Sequence, residues 1–187
     1  MKYLLVIFNL VLFYTDAAAQ LNLNIDDVPD AKNREVKKYR YYDTSYGLIP
    51  IVSSKNVIEI RLYEYEMFGA RCQTLCFDGL TWTGQTAGRL CFAGESAKKL
   101  NTTLSFYQVL DTLNRNNIFK LPDQTSLNLK GTIDDGTNYS IVYKVGNKFR
   151  SYDFSNPKYF LKINKEVREL ENYITIVQIF NSIYKLP

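Results

Sequence analysis

Tyr139-Ser140-Ile141-Val142-Tyr143-Lys144-Val145-Gly146-Asn147-Lys148-Phe149-Arg150-Ser151-Tyr152-Asp153-Phe154 decides the fold. Two runs of aromatic and β-branched residues flank Gly146-Asn147, a pair that tolerates the positive φ of a two-residue hairpin turn. A turn of that length fixes the register. It sets Val145 opposite Lys148, Tyr143 opposite Arg150, Ile141 opposite Tyr152 and Tyr139 opposite Phe154, gathering most of the aromatic rings on one face. Ser140, Val142, Lys144, Phe149 and Ser151 then point to the other. Tyr143, Arg150 and Tyr152 form a candidate binding spot, with Trp82 as a further aromatic contact; a cross-strand cation and aromatic contact at the sheet rim is the structural alternative.

Upstream, Val57 to Tyr65 alternates, placing Ile58, Ile60 and Leu62 on one face and Glu59 and Arg61 on the other, which predicts a half-buried strand. Gln73 to Phe77 runs into the turn signal Asp78-Gly79, then Leu80 to Thr83, and after a Gly84 to Gly88 loop Arg89 to Ala93, an antiparallel meander. Thr102 or Thr103 caps a helix whose Phe106, Val109, Leu110 and Leu113 make one apolar stripe. It ends near Asn114 to Asn117, and a loop of low periodicity reaches Asp135-Gly136. Downstream of the hairpin, Asn156-Pro157-Lys158 reads as a turn, Tyr159 to Ile163 as extended, and Asn164 as the cap of a last helix running to about Tyr184. The fold expected is α+β and two-layered, an antiparallel meander and hairpin packed against two helices.

At the N-terminus, Lys2, the apolar run Tyr3 to Tyr14 and the small residues Ala17-Ala18-Ala19 predict a signal peptide over residues 1–19, cleaved before Gln20. Residues 20–46 read as a flexible arm and residues 47–187 as one α+β domain. The product is expected in the periplasm or outside the cell, without a membrane span. Within the arm, Lys37-Lys38-Tyr39-Arg40-Tyr41-Tyr42 is the densest basic segment. It reads as a solvated linker or edge strand, and alternatively as a contact for an anionic surface or polysaccharide, with tyrosines stacking beside cations.

The chain contains no histidine, which removes Ser-His and Cys-His catalytic pairs, His-ligated metals and an imidazole proton switch. A net charge of only +4, with acids and bases interspersed, gives no nucleic-acid footprint. Three cysteines in an exported chain suggest one disulfide, Cys91 with Cys72 or Cys76, and one spare thiol, or alternatively small buried thiols. Their spacing matches no common zinc pattern, and neither a metal nor another cofactor is expected.

Three segments taken together carry a resemblance. These are Glu59-Ile60-Arg61-Leu62-Tyr63 with the Trp82 strand, Ile118-Phe119-Lys120-Leu121-Pro122-Asp123, and Asp135-Gly136-Thr137-Asn138-Tyr139 with Arg150-Ser151-Tyr152-Asp153 and Asn156-Pro157. They resemble a group of exported bacterial proteins of unknown function. The resemblance implies export and transfers no catalytic residue. The function expected is a non-catalytic exported or envelope-associated module that binds a protein, peptide or glycan. One alternative is a small carboxylate-dependent hydrolase, with Glu64 and Glu66 or Asp134 and Asp135 as its acids. The other is a structural protein, with the terminal helix supplying a homodimer face.

Overall fold

The hairpin forms in the expected register, every strand pair from Asn138 opposite Ser155 to Val145 opposite Lys148 being in place. Gly146 takes φ 58°. Asn147 keeps a negative φ, so only the first central residue needs glycine, as in a type II′ turn. A computed structural model describes residues 38–67, 69–89, 98–99 and 104–184. The residues assigned to the signal peptide, most of the arm, Cys91, and the caps expected at Thr102 or Thr103 lie outside them.

The strands are β1 (Ile58–Glu66), β2 (Gly69–Phe77), β3 (Trp82–Arg89), the short β4 (Lys98–Lys99), β5 (Asn138–Val145) and β6 (Lys148–Ser155). They form one antiparallel sheet in the order β4-β3-β2-β1-β5-β6. The helices are α1 (Arg40–Ser45), α2 (Phe106–Arg115), α3 (Pro157–Ile163) and α4 (Arg168–Ile183). The α+β class expected from the alternation is what the chain adopts. On one face of the sheet Ile58, Ile60, Leu62, Leu75, Ile141, Tyr143 and Tyr152 pack with the apolar stripe of α2 and with Leu170, Tyr173, Ile176 and Phe180 of α4. Each fully buried aliphatic or aromatic side chain there contributes about 1.5–3 kcal/mol.

Several local expectations are corrected. Gly84 to Gly88 is strand, not loop, because β2 pairs with β3 from Phe77 opposite Trp82 to Ala70 opposite Arg89. The α2 cap is Ser105, whose side chain accepts from the Gln108 amide while Gln108 reaches back to the Ser105 amide, a complete capping box. Tyr159 to Ile163 is helical, with Pro157 in the first turn, where its missing N–H costs nothing. Asn164 does not cap α4. Its amide group clasps the Lys130 backbone on both sides, accepting at 2.7 Å and donating at 3.1 Å.

The largest correction concerns residues 38–46, which are no loose arm. Tyr39 and Asp43 are buried, and with Leu48 and Ile51 they cover the centre of the second sheet face over Tyr63, Cys72 and Val142. The face expected to meet water is therefore closed at its middle, and Glu59 and Arg61 are buried beneath it. Cys72 and Cys76 are free thiols. The strand neighbours of Cys72, Tyr63 and Ala87, bring it no second sulfur, and burial pushes its thiol up, leaving it unreactive.

Candidate functional site

Tyr143, Arg150 and Tyr152 do converge, but inward. Tyr143 and Tyr152 are fully buried, and their hydroxyls donate to the carbonyls of Phe119 at 2.7 Å and Ile118 at 2.9 Å. The Arg150 guanidinium donates to Phe119 O at 3.2 Å and Leu121 O at 2.7 Å, while lying 5.6 Å from the Tyr152 ring centroid. Segment 118–121 has no ladder to satisfy its buried carbonyls, and the hairpin side chains do so instead. No ring face of Tyr143 or Tyr152 remains for a ligand. Trp82 is half-buried against Phe106, with ring centroids 5.4 Å apart, and joins the helix-covered core.

A cleft of about 800 Å³ lies at the other, open end of the hairpin. It draws on both faces of the sheet at the β6 edge. Lys38, Tyr39 and Tyr42 form one wall at α1, and Tyr65 at the end of β1 continues it. Asn138, Tyr139 and Ser140 from β5 and Asp153, Phe154 and Ser155 from β6 form the floor. Segment 123–131 and Phe160 of α3 close the far side.

The rings are held by other rings. Tyr39 stacks on Tyr63 at 5.2 Å, Tyr42 meets Tyr65 edge-on at 5.4 Å, and Tyr139 stacks on Phe154 at 5.2 Å. Phe154 in turn stacks on Tyr173 at 4.4 Å. Such packing fixes the side chains before any ligand arrives, which lowers the entropic cost of binding.

Two carboxylates face this cleft, and both are committed. Asp153 Oδ1 accepts from the Tyr39 hydroxyl and the Ser140 hydroxyl, each at 2.6 Å, and Oδ2 from Lys38 Nζ at 2.8 Å. Burial alone would raise the Asp153 carboxyl, but these hydrogen bonds outweigh it and hold it below the usual carboxylate range. Asp123 Oδ1 accepts from the Thr125 amide at 3.0 Å and hydroxyl at 2.7 Å, and Oδ2 from the Asp153 amide at 3.0 Å. Burial pushes the Tyr39 and Tyr65 phenols up, and the Tyr139 phenol to about 12, so all three stay neutral donors near neutral pH. The acid pairs expected for hydrolysis are elsewhere: Glu64 is buried in an ion pair with Arg71, and Asp134 and Asp135 are exposed in their loop.

The α1 wall is positioned by a buried charge cluster. Asp43 accepts from Arg61, from the Tyr63 hydroxyl and from the Ile51 amide. Glu59 accepts from Arg61 Nε at 2.7 Å and from Asn56 Nδ2 at 2.7 Å, and Arg61 also donates to Ile49 O. Burial opposes the charge on Arg61, while the Glu59 and Asp43 carboxylates favour it and hold the guanidinium protonated. Sequence reading picked out Lys38, Tyr39 and Tyr42 as a basic and aromatic segment but missed the helix that packs this segment on the sheet, although Tyr39, Tyr42, Asp43 and Tyr46 carry the helical spacing of one inward face. Among the described residues no group of His, Cys, Asp and Glu is placed to hold a metal ion. No helix among them is long and apolar enough to cross a membrane. No protein-family model and no curated protein matches the chain.

Proposed function

We propose that this protein is an exported, non-catalytic binding module, acting in the periplasm or outside the cell, and that the tyrosine-walled cleft is its ligand seat. Export is read from Lys2, the apolar run 3–14 and the alanines before Gln20. One observation carries the binding reading: a concavity of about 800 Å³ walled by prestacked aromatic rings, whose two carboxylates are each already held by three hydrogen bonds from the protein. A ligand there meets the part-exposed rings of Tyr42, Tyr65 and Tyr139 and the exposed Asn138, the mixture of apolar body and few polar contacts expected of a recognition site.

A second reading is favoured by the presence of Asp123 and Asp153 in one cleft, the arrangement from which a carboxylate-dependent glycosidase is built. It needs one acid with a raised pKa, and Asp153 is shifted the other way. The test is to probe glycan and peptide arrays with residues 20–187 and with the variants Tyr42→Ala and Tyr65→Ala, each checked for folding by circular dichroism. Binding should be concentrated on one ligand class and lost in both variants, with captured glycans recovered uncleaved. Retention of binding by both variants would refute the cleft as the seat, and cleavage that disappears in Asp123→Asn or Asp153→Asn would establish the hydrolase.

A further inference from the structure

We infer that the ligand of this cleft is an acidic glycan, an oligosaccharide bearing anionic substituents, and that a second groove beyond Tyr139 reads its charge. This rests on the cleft being the ligand seat. The second groove, of about 460 Å³, is lined by Lys158 and Lys162 of α3, Gln178 and Asn181 of α4, Asn156 and Tyr139. Tyr139 belongs to both cavities, so one extended ligand can run from the Tyr42 and Tyr65 wall across the Tyr139 ring to the lysines.

Charge points the ligand in one direction. Lys158 and Lys162 are four residues apart on one side of α3, both are exposed, and neither forms an ion pair among the described residues. No carboxylate lines their groove. Glu171 lines the adjoining hollow, which Lys158, Lys162 and Lys165 share, so three cations meet one carboxylate there. The first cleft holds Asp123 and Asp153 against a single cation, Lys38, so an anionic substituent is repelled at that end and attracted at the lysine end. Gln178 and Asn181 add amide groups suited to hydroxyl and carboxylate oxygens.

The backbone decides between a glycan and a peptide. An extended peptide at an edge strand gains most of its affinity by adding to the sheet. At the cleft the amides of Asp153 and Ser155 are already taken, by Asp123 Oδ2 at 3.0 Å and Gln124 Oε1 at 2.6 Å, so strand addition is blocked there. Ring faces and side-chain polar groups remain, and a glycan binds through those.

The experiment is calorimetric titration of residues 20–187 with four probes of equal length: a galacturonan hexasaccharide, a chondroitin sulfate hexasaccharide, cellohexaose and a hexaglutamate peptide. At low salt at least one acidic glycan should bind about tenfold tighter than cellohexaose, with the preference falling as salt screens it. Lys158→Gln/Lys162→Gln should abolish the preference. Lys55→Gln/Lys120→Gln, which removes the same charge from positions lining neither cavity, should retain it. Equal affinity for acidic and neutral glycans, a preference that survives in Lys158→Gln/Lys162→Gln, or tighter binding of the peptide would overturn the inference. If Tyr42→Ala removes binding while the lysine pair has no effect, the cleft reading stands and only the acidic assignment falls. If no probe binds the folded protein, both fall.

Discussion

Arg61→Met strips the cation from a cluster in which Arg61 is 2% exposed, Glu59 2% and Asp43 1%. The substitution preserves most of the side-chain volume but leaves two carboxylates buried without their shared partner, at a cost of about 3–5 kcal/mol. For a domain of this size that lowers Tm by about 10 °C. The triple variant Asp43→Asn/Glu59→Gln/Arg61→Met removes the charges together, and neutral replacement of a whole buried cluster costs far less than removing one member. It should recover more than half of the loss. Urea unfolding followed by circular dichroism gives both stabilities, and hydrogen exchange gives the local consequence, early loss of protection in α1, which Asp43 fastens to the sheet. A single variant that loses less than about 1 kcal/mol, or a triple variant as unstable as the single, would refute the reasoning.

Asp153→Asn removes a carboxylate whose folded-state pKa lies below its ordinary value of 3.8. A depressed carboxyl contributes stability that is fully present above the ordinary pKa and lost as pH falls through the folded one. The stability difference between wild type and Asp153→Asn should therefore be fully present near neutral pH and shrink as pH falls below the ordinary 3.8, as read by thermal melts at each pH. Gly88 sits at φ +93°, where a Cβ would lie 2.5 Å from the Ala70 carbonyl oxygen, so Gly88→Ala should cost roughly 1–3 kcal/mol in denaturant unfolding. Tyr143→Phe should cost about 0.5–1.5 kcal/mol by the same measurement, because Arg150 still donates to Phe119 O and the carbonyl is not orphaned. It should leave ligand binding unchanged, since Tyr143 does not line the cleft.

What the sequence disclosed was whatever local chemistry governs. Gly146-Asn147 permits one hairpin geometry, and every cross-strand pair follows from it. The apolar faces of β1 and α2 were legible for the same reason, since their periods of two and about 3.6 residues are written into neighbouring positions. The errors share a cause in distant partners. Glu59 and Arg61 read as a solvent face because buried charges are rare, and their burial depends on partners the strand does not show, above all Asp43, far upstream on α1. Glycines at 84 and 88 signalled a loop, and pairing with β2 overrode the signal. Asn156-Pro157-Lys158 reads as a turn, whereas Pro157 stands in the first turn of α3.

The candidate site was partly visible in the same way. Lys38, Tyr39 and Tyr42 stood out as a basic and aromatic segment with a polysaccharide contact as one reading, and the structure places all three on the cleft wall. Tyr143, Arg150 and Tyr152 stood out for the same aromatic and cationic character, and the structure spends them on the carbonyls of segment 118–121. Composition alone does not separate the two cases. What separates them is which end of the hairpin is covered by a neighbouring segment.

The most direct test of the central claim is a map of amide chemical shifts for isotope-labelled residues 20–187 titrated with the tightest oligosaccharide from the array. The account requires the perturbed amides to cluster at Tyr42, Tyr65, Asn138 and Tyr139, extending toward Lys158, while those around Tyr143 and Trp82 stay unmoved. Saturable shifts centred on any other surface, with the α1 wall silent, would contradict it.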